Sequence, residues 1–452
     1  MTRRPALVLA ALVVALGLPV LGATPASADI ALPGVPIEQP STDPSEPLPL
    51  EAGTWTDTLQ GAQGAADSAH QFVYRRTMRA STVFIGVTGA NSVENDRVDV
   101  VASLPSGEEC ASDYSESGYE NAFGSFGARL YIGPDEPNDG DSACLVADEL
   151  RFTVSRGTKN VSSPVPVSIR IVEEAPTTSD VTTLPAQPET PRVEVPDVPE
   201  GDDLVGADTF EDARYLDDGS YRTTVGEGEQ KFWRVRLGWG QQLSTRLRLP
   251  AADDATLERI GGFGPNVELV LVDPLLNTFR EGVEDAVTSG DYGDEPVTMR
   301  DGTSPVAYDN RFGDGVAILP GDYWVTVSVD APDDRAPIEV PMQLEVQVLG
   351  EPGAGAPAFP ATVQSPTGDA GPDGYAADTP YLVSPGTFAA DVSGSTDAPE
   401  PEDDGEASDG SATDDAAADD DTTRRVAGLG AGALGLACCA AGVLLLARRR
   451  RG

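Results

Sequence analysis

His70 is the one imidazole in this chain, and Lys159 and Lys231 are its two lysines. Any Ser/His/Asp or Cys/His arrangement would have to take His70 as its base. Histidine-built metal centres and phosphate loops ending in Gly-Lys are excluded. No Gly-x-Ser-x-Gly elbow is present. The counterpart of His70 in the repeat described below is Gln230 at the start of a strand, so His70 is expected as a surface residue at a strand edge. Carboxylates are so abundant that no pair stands out as the acid and base of a glycosidase. Calcium is the cation the residues suit best, with Asp309, Asn310 and Asp314 in one loop and Asp291, Asp294 and Glu295 before it. No twelve-residue EF-hand loop fits, so solvated acidic loops and no cofactor are the expectation. Trp239, in a Gly-Trp-Gly turn, and Trp324, alternating with Tyr323 and Val325, are the candidate binding aromatics for a sugar ring or a protein anchor. Trp55 and Trp233 lie on periodic strands and are expected in the core. Cys110 and Cys144 are expected to form a disulfide, and the adjacent Cys438 and Cys439 to be small packing residues.

The balance of 74 acidic against 30 basic residues gives a formal charge of −44. Binding to nucleic-acid phosphates draws on clustered cations and is disfavoured. The charge favours solubility, cations and basic partners.

Both ends read as addresses. Arg3 and Arg4, the apolar run Ala6 to Leu21 and the small residues Ala26-Ser27-Ala28 have the three parts of a secretory signal, 1–28, with the mature chain from Asp29. Val426 to Ala447 carries no charge and is followed by Arg448 to Arg451. It is long enough to cross a bilayer, with the arginines inside. The expected topology is a single transmembrane helix within 424–447, a cytoplasmic tail 448–452, and the bulk of the chain outside the cell membrane. Gly430, Gly432 and Gly435 match a dinucleotide fingerprint by letter only, because they follow no strand. Gly428 and Gly432 form a small-residue face on which two spans could pair as a homodimer.

Between these ends, composition marks a proline-rich linker 29–50, a module 51–173, a Pro/acidic linker 174–205, a second module 206–350, and a Gly/Pro-rich then acidic stalk 351–423 too poor in apolar residues to order itself. Within the modules the dominant period is two. Trp233, Val235 and Leu237 alternate with Arg234 and Arg236; Leu243, Leu247 and Leu249 alternate with Ser244, Arg246 and Arg248; Met342, Leu344 and Val346 alternate with Gln343 and Glu345. These are strands with one dry and one wet face. Only Ala255 to Ile260 reads as a short helix. The modules repeat each other: GTWTDTL at 53–59 parallels GSYRTTV at 219–225, HQFVYRR at 70–76 parallels QKFWRVR at 230–236, DELRFTVS at 148–155 parallels GDYWVTVS at 321–328, and PVPVSIRIV at 164–172 parallels VPMQLEVQV at 340–348. The expected fold is all-β, two tandem jelly-roll-like antiparallel β-sandwiches.

Gly240-Gln241 entering a strand, the central run Leu269 to Asp273 and the hairpin Gly321-Asp322-Tyr323 make module two resemble the bacterial pre-peptidase C-terminal domain. Module one resembles a divergent copy. The resemblance implies a jelly-roll-like sandwich serving as a non-catalytic accessory or binding unit, some relatives of which bind calcium or polymers. The overall plan resembles actinobacterial envelope proteins. The expected protein is therefore a non-enzymatic, membrane-anchored surface protein that presents two binding or scaffold modules to an envelope protein or cell-wall polymer. A carboxylate-dependent wall-polysaccharide hydrolase and a passive spacer are the alternatives.

Overall fold

Strands of alternating polarity dominate the computed structural model, which describes residues 30–393 apart from 92–95, 117–123, 135–141, 159–162, 181–182, 186–199, 262–263, 280–282, 313–315 and 333–334. The signal segment, Asp314, the acidic stretch after 393, the span with Gly428, Gly432, Cys438 and Cys439, and the arginine tail lie outside the described residues. No described helix is long and apolar enough to cross a membrane.

The first half holds β1 (Val35–Pro36), β2 (Leu48–Leu50), β3 (Gly53–Leu59), β4 (Ala69–Arg75), β5 (Thr82–Asn91), β6 (Arg97–Ser103), β7 (Glu109–Glu116), β8 (Gly124–Ile132), the one-turn helix α1 (Ala143–Val146), β9 (Glu149–Arg156) and β10 (Val165–Glu174). One sheet has the order β2-β4-β9-β6-β7. In the other, β10 is central, with β3 and then β1 on one side and β5 and then β8 on the other. Phe72, Phe152, Ile85, Val100 and Ile169 fill the space between the two sheets, as dry faces of period two must.

The second half holds β11 (Glu200–Asp203), β12 (Gly219–Gly226), β13 (Gln230–Leu237), β14 (Gln242–Leu249), α2 (Asp254–Ile260), β15 (Asn266–Val272), β16 (Thr278–Phe279), β17 (Ser289–Asp291), β18 (Val297–Gly302), β19 (Gly321–Val329) and β20 (Glu339–Leu349). Its sheets run β11-β12-β20-β14-β18 and β13-β19-β15-β16, with β17 also on β15. Trp233, Leu247, Leu269, Tyr323 and Leu344 are among its core. The helix α2 falls where the sequence places one. Asp253 caps it by accepting from Thr256 N at 2.8 Å.

The repeat is visible in the pairing. β3–β10 and β4–β9 recur as β12–β20 and β13–β19, and β5, β6 and β8 take the places of β14, β15 and β18. Two of the sequence matches slip by one residue. Gly53 pairs with Ile171 and Gly219 with Val346, so Val165-Pro166 corresponds to Val340-Pro341, and Pro164 does not match Val340. Likewise Phe72 and Tyr74 face the core as Trp233 and Val235 do, whereas Phe232 faces outward. Side-chain direction alternates, so a one-residue slip would turn every apolar side chain to the wrong face.

Parts of all three expected linkers are instead built into the sheets. Within 29–50, β1 and β2 pair in parallel with β3 and β4. Proline is tolerated there because an edge strand can do without its N–H. After β20 the described part of the expected disordered stalk, 351–393, is ordered. Strands β21 (Tyr381–Ser384) and β22 (Thr387–Ala389) extend the sheet of β10. Leu382 and Phe388 join the first core, while Tyr381 and Val392 join the second. Within the expected linker 174–205, Ala175 is buried and β11 is a strand.

Candidate functional site

Across the solvent face of the β11-β12-β20-β14-β18 sheet lies a groove of about 690 Å³. Its floor is one row of paired residues. Asp203 is opposite Arg222, Arg222 opposite Gln343, Gln343 opposite Arg248, and Arg248 opposite Thr298. Five strands at roughly 4.8 Å each give a trench about 19 Å wide. Leu204, Val205, Pro250 and Pro296 contribute apolar walls, and Val205 is 82% exposed.

Arg222 and Arg248 are held loosely, whereas Arg246 is paired tightly with the buried Glu345. Arg222 Nε donates to Asp203 Oδ1 at 2.8 Å, with both side chains more than half exposed. Such pairs contribute little to stability and exchange readily for a ligand. Arg248 Nη2 is 3.5 Å from Glu345 Oε1, and Arg246 donates to the same carboxylate. Gln343 Nε2 donates to Ser220 Oγ at 2.6 Å. The sequence reading saw these arginines only as the wet face of strands. What it lacked was the register that aligns them.

The corresponding face of the first half is covered. The turn Pro274–Asn277, between β15 and β16, lies against β5 and β8. Thr88 Oγ1 donates to Leu276 O, Gly127 N donates to Thr278 Oγ1 at 2.9 Å, and Arg129 Nη1 donates to Asp273 Oδ2 at 2.7 Å. Gly86 and Gly127 make the approach possible, since a Cβ would stand 1.9 Å from Leu275 O and 2.4 Å from Leu276 O respectively. Leu276 itself takes a left-handed conformation, φ 65°. Nearby, Arg311 makes a bidentate pair with Glu174 at 2.5 and 2.8 Å, both side chains buried. The guanidinium stays charged because the adjacent carboxylate outweighs burial.

Neither candidate tryptophan is on the surface. Trp239 is 8% exposed: it lies 5.8 Å from the Arg311 guanidinium, and the segment after β20 covers its turn, with Gly353 N donating to Trp239 O at 2.8 Å. Trp324 is 5% exposed, because the segment before β12 folds over the outer face of β19. Its Nε1 donates to Phe210 O at 3.0 Å, and its ring meets Phe210 edge-on. Trp233 is core as expected, whereas Trp55 is half-buried at the core's margin. His70 is no edge residue: it is 3% exposed, and its Nδ1 donates to Asp57 Oδ2 at 2.5 Å. The acidic loops do not converge. Asp291 accepts from Asn266, and Asn310 is buried with its amide donating to Pro305 O and Ala317 O. Among the described residues no group of three His, Cys, Asp or Glu could hold a metal ion. The Cys110–Cys144 disulfide is present, tying β7 to α1.

No family model matches the chain, and no curated protein does. Among solved structures it is similar to PNGF-II, at 11% identity and a TM-score of 0.17, over 66% of this chain and 65% of that one, just under two thirds. It is also similar to a peptide-N(4)-(N-acetyl-β-D-glucosaminyl)asparagine amidase (9%, 0.19, 68% and 99%) and to the ANXUR2 extracellular domain of Arabidopsis thaliana (6%, 0.17, 66% and 92%). At these TM-scores the likenesses carry no argument.

Proposed function

We propose that the protein is a non-enzymatic surface protein, two jelly-roll-like β-sandwiches of the pre-peptidase C-terminal type held by one C-terminal span, which binds another envelope component through the groove over Arg222, Gln343 and Arg248. The signal-like N-terminus and the apolar stretch before Arg448 support export and anchoring. The groove is the observation that carries the binding role: a row of polar side chains across five strands, with apolar walls and loosely held charges, suits reversible recognition. Among the described lining residues Asp203 is the one carboxylate. Glycoside hydrolysis uses two, so the groove favours binding over the hydrolase alternative.

The test is crosslinking on intact cells with tagged full-length protein, followed by mass spectrometry and sugar analysis. Recovery of one envelope component with the native protein, and its loss with the groove-filling Thr224→Trp, is the expected result. An unchanged set of products, or nothing above background, overturns the binding role.

A further inference from the structure

We infer that the groove takes an extended, acidic polypeptide segment of a partner protein, its carboxylates meeting Arg222 and Arg248; this rests on the groove being the binding site.

The internal repeat carries the argument. The registers make Arg222, Gln343, Arg248 and Thr298 the counterparts of Thr56, Ser168, Thr88 and Gly127 in the first half. In that half the row holds polypeptide. Ser168 Oγ donates to Pro33 O at 2.7 Å, Thr88 to Leu276 O, and Gly127 N to Thr278. Two residues further along, on the same face, Arg129 holds the carboxylate of Asp273, and Arg170 donates to Val392 O. The same face in the second half is solvent-exposed, so the duplicated surface is a peptide-docking face filled once within the chain and open once outside it.

The substitutions between the copies define what the open face accepts. Gly86 and Gly127, which let a main chain lie flat, are replaced by Arg246 and Thr298. An incoming chain therefore stands off the sheet and is held through its side chains. Thr56 and Thr88 are replaced by Arg222 and Arg248. The face presents Arg222, Arg246, Arg248 and Arg300 against Asp203, Glu339 and Glu345, a local positive excess on a chain of charge −44. Charge complementarity of this kind selects acidic partners, and guanidinium forks suit carboxylates. Arg222 and Arg248 flank β20, about 10 Å apart at the usual strand spacing, which matches acidic residues three apart in a polyproline-II chain, whose three-residue turn keeps them on one side about 9 Å apart. Among the described lining residues none is aromatic to plate a sugar ring; the apolar walls are aliphatic and prolyl, suited to the residues between the acids.

The probe is a fluorescein-labelled peptide, Glu-Val-Pro-Glu-Val-Pro-Glu, titrated with full-length protein in detergent and read by anisotropy. Saturable binding is expected. It should weaken about tenfold or more with Gln in place of Glu in the peptide, or with Arg222→Gln/Arg248→Gln at unchanged Tm, and should fall with salt. Trigalacturonate should not displace it. No binding, equal binding of the Gln peptide, an unaffected double variant, or displacement by trigalacturonate at equal concentration would each overturn the inference. Capture on cells separates the two readings. If Thr224→Trp abolishes capture of a component that Arg222→Gln/Arg248→Gln retains, the groove stands and the acidic peptide falls. If Thr224→Trp leaves capture intact, the groove reading itself fails.

Discussion

Arg129 on β8 and Asp273 at the end of β15 meet at 2.7 Å across the seam between the two halves of the molecule. Asp273 Oδ1 also accepts from Leu275 N and Asn277 N, fixing the turn that enters the seam. Burial nonetheless outweighs these partners and lifts the Asp273 carboxyl above its ordinary 3.8. A carboxyl raised on folding favours the folded state below its unfolded pKa, and that contribution is lost as pH rises through the folded value. The pH-dependent cost is absent from Asp273→Asn. The stability of this variant relative to the native protein should therefore rise between about pH 3.5 and pH 7. Paired urea titrations across that range measure it, and a flat or falling difference would contradict the assignment.

The glycine notch on the same seam gives a steric prediction. Gly86→Val and Gly127→Val place a side chain where the carbonyls of Leu275 and Leu276 now lie. Both positions face away from the first core, so that core should survive. The seam should lose on the order of 1–3 kcal/mol, as overpacking does. Calorimetry should resolve one unfolding transition into two, and scattering should show a larger radius of gyration. A single transition at the native temperature would mean that the halves do not depend on this contact.

Strand alternation, the short helix, the disulfide and the order of the four repeated segments were all legible in the chain, because each follows from local period or composition. Registers were not. Whether Phe232 or Trp233 matches Phe72 depends on which face meets the opposing sheet, and that is a tertiary fact. The same limit explains the tryptophans. Trp239 and Trp324 stand in exposed-looking contexts, but distant segments cover them, Arg311 and the segment after β20 over Trp239 and Phe210 over Trp324. Proline content at 29–50 and 351–390 pointed to tethers. Those segments are ordered because Ile37, Phe359, Val363 and Tyr375 find a core already built by other strands.

His70 and Asp57 are hydrogen-bonded between the facing sheets of the first half, with both side chains about 4% exposed. A carboxylate accepts only, so Nδ1 carries the shared proton. Removing one partner strands the other in a dry site. His70→Ala should therefore cost about 3–5 kcal/mol, more than the double change His70→Leu/Asp57→Val. Urea unfolding of the single and double variants checks this. Equal losses would show that the pair is worth no more than its packing.

Trp324 separates a packing role from a binding one. Its indole fills a cluster with Phe210, Phe232 and Leu276, and its Nε1 donates to Phe210 O. Trp324→Ala should cost about 3–5 kcal/mol through the cavity it leaves. Trp324→Phe keeps most of the apolar contact but leaves Phe210 O unpaired, at about 1–3 kcal/mol. Both losses appear in thermal or urea unfolding. Below the variants' unfolding temperatures, crosslinking on cells should recover the same component as the native protein does, because this ring lies beneath the segment before β12, on the sheet opposite the groove. Loss of capture by a folded Trp324→Phe would return the tryptophan to the binding surface.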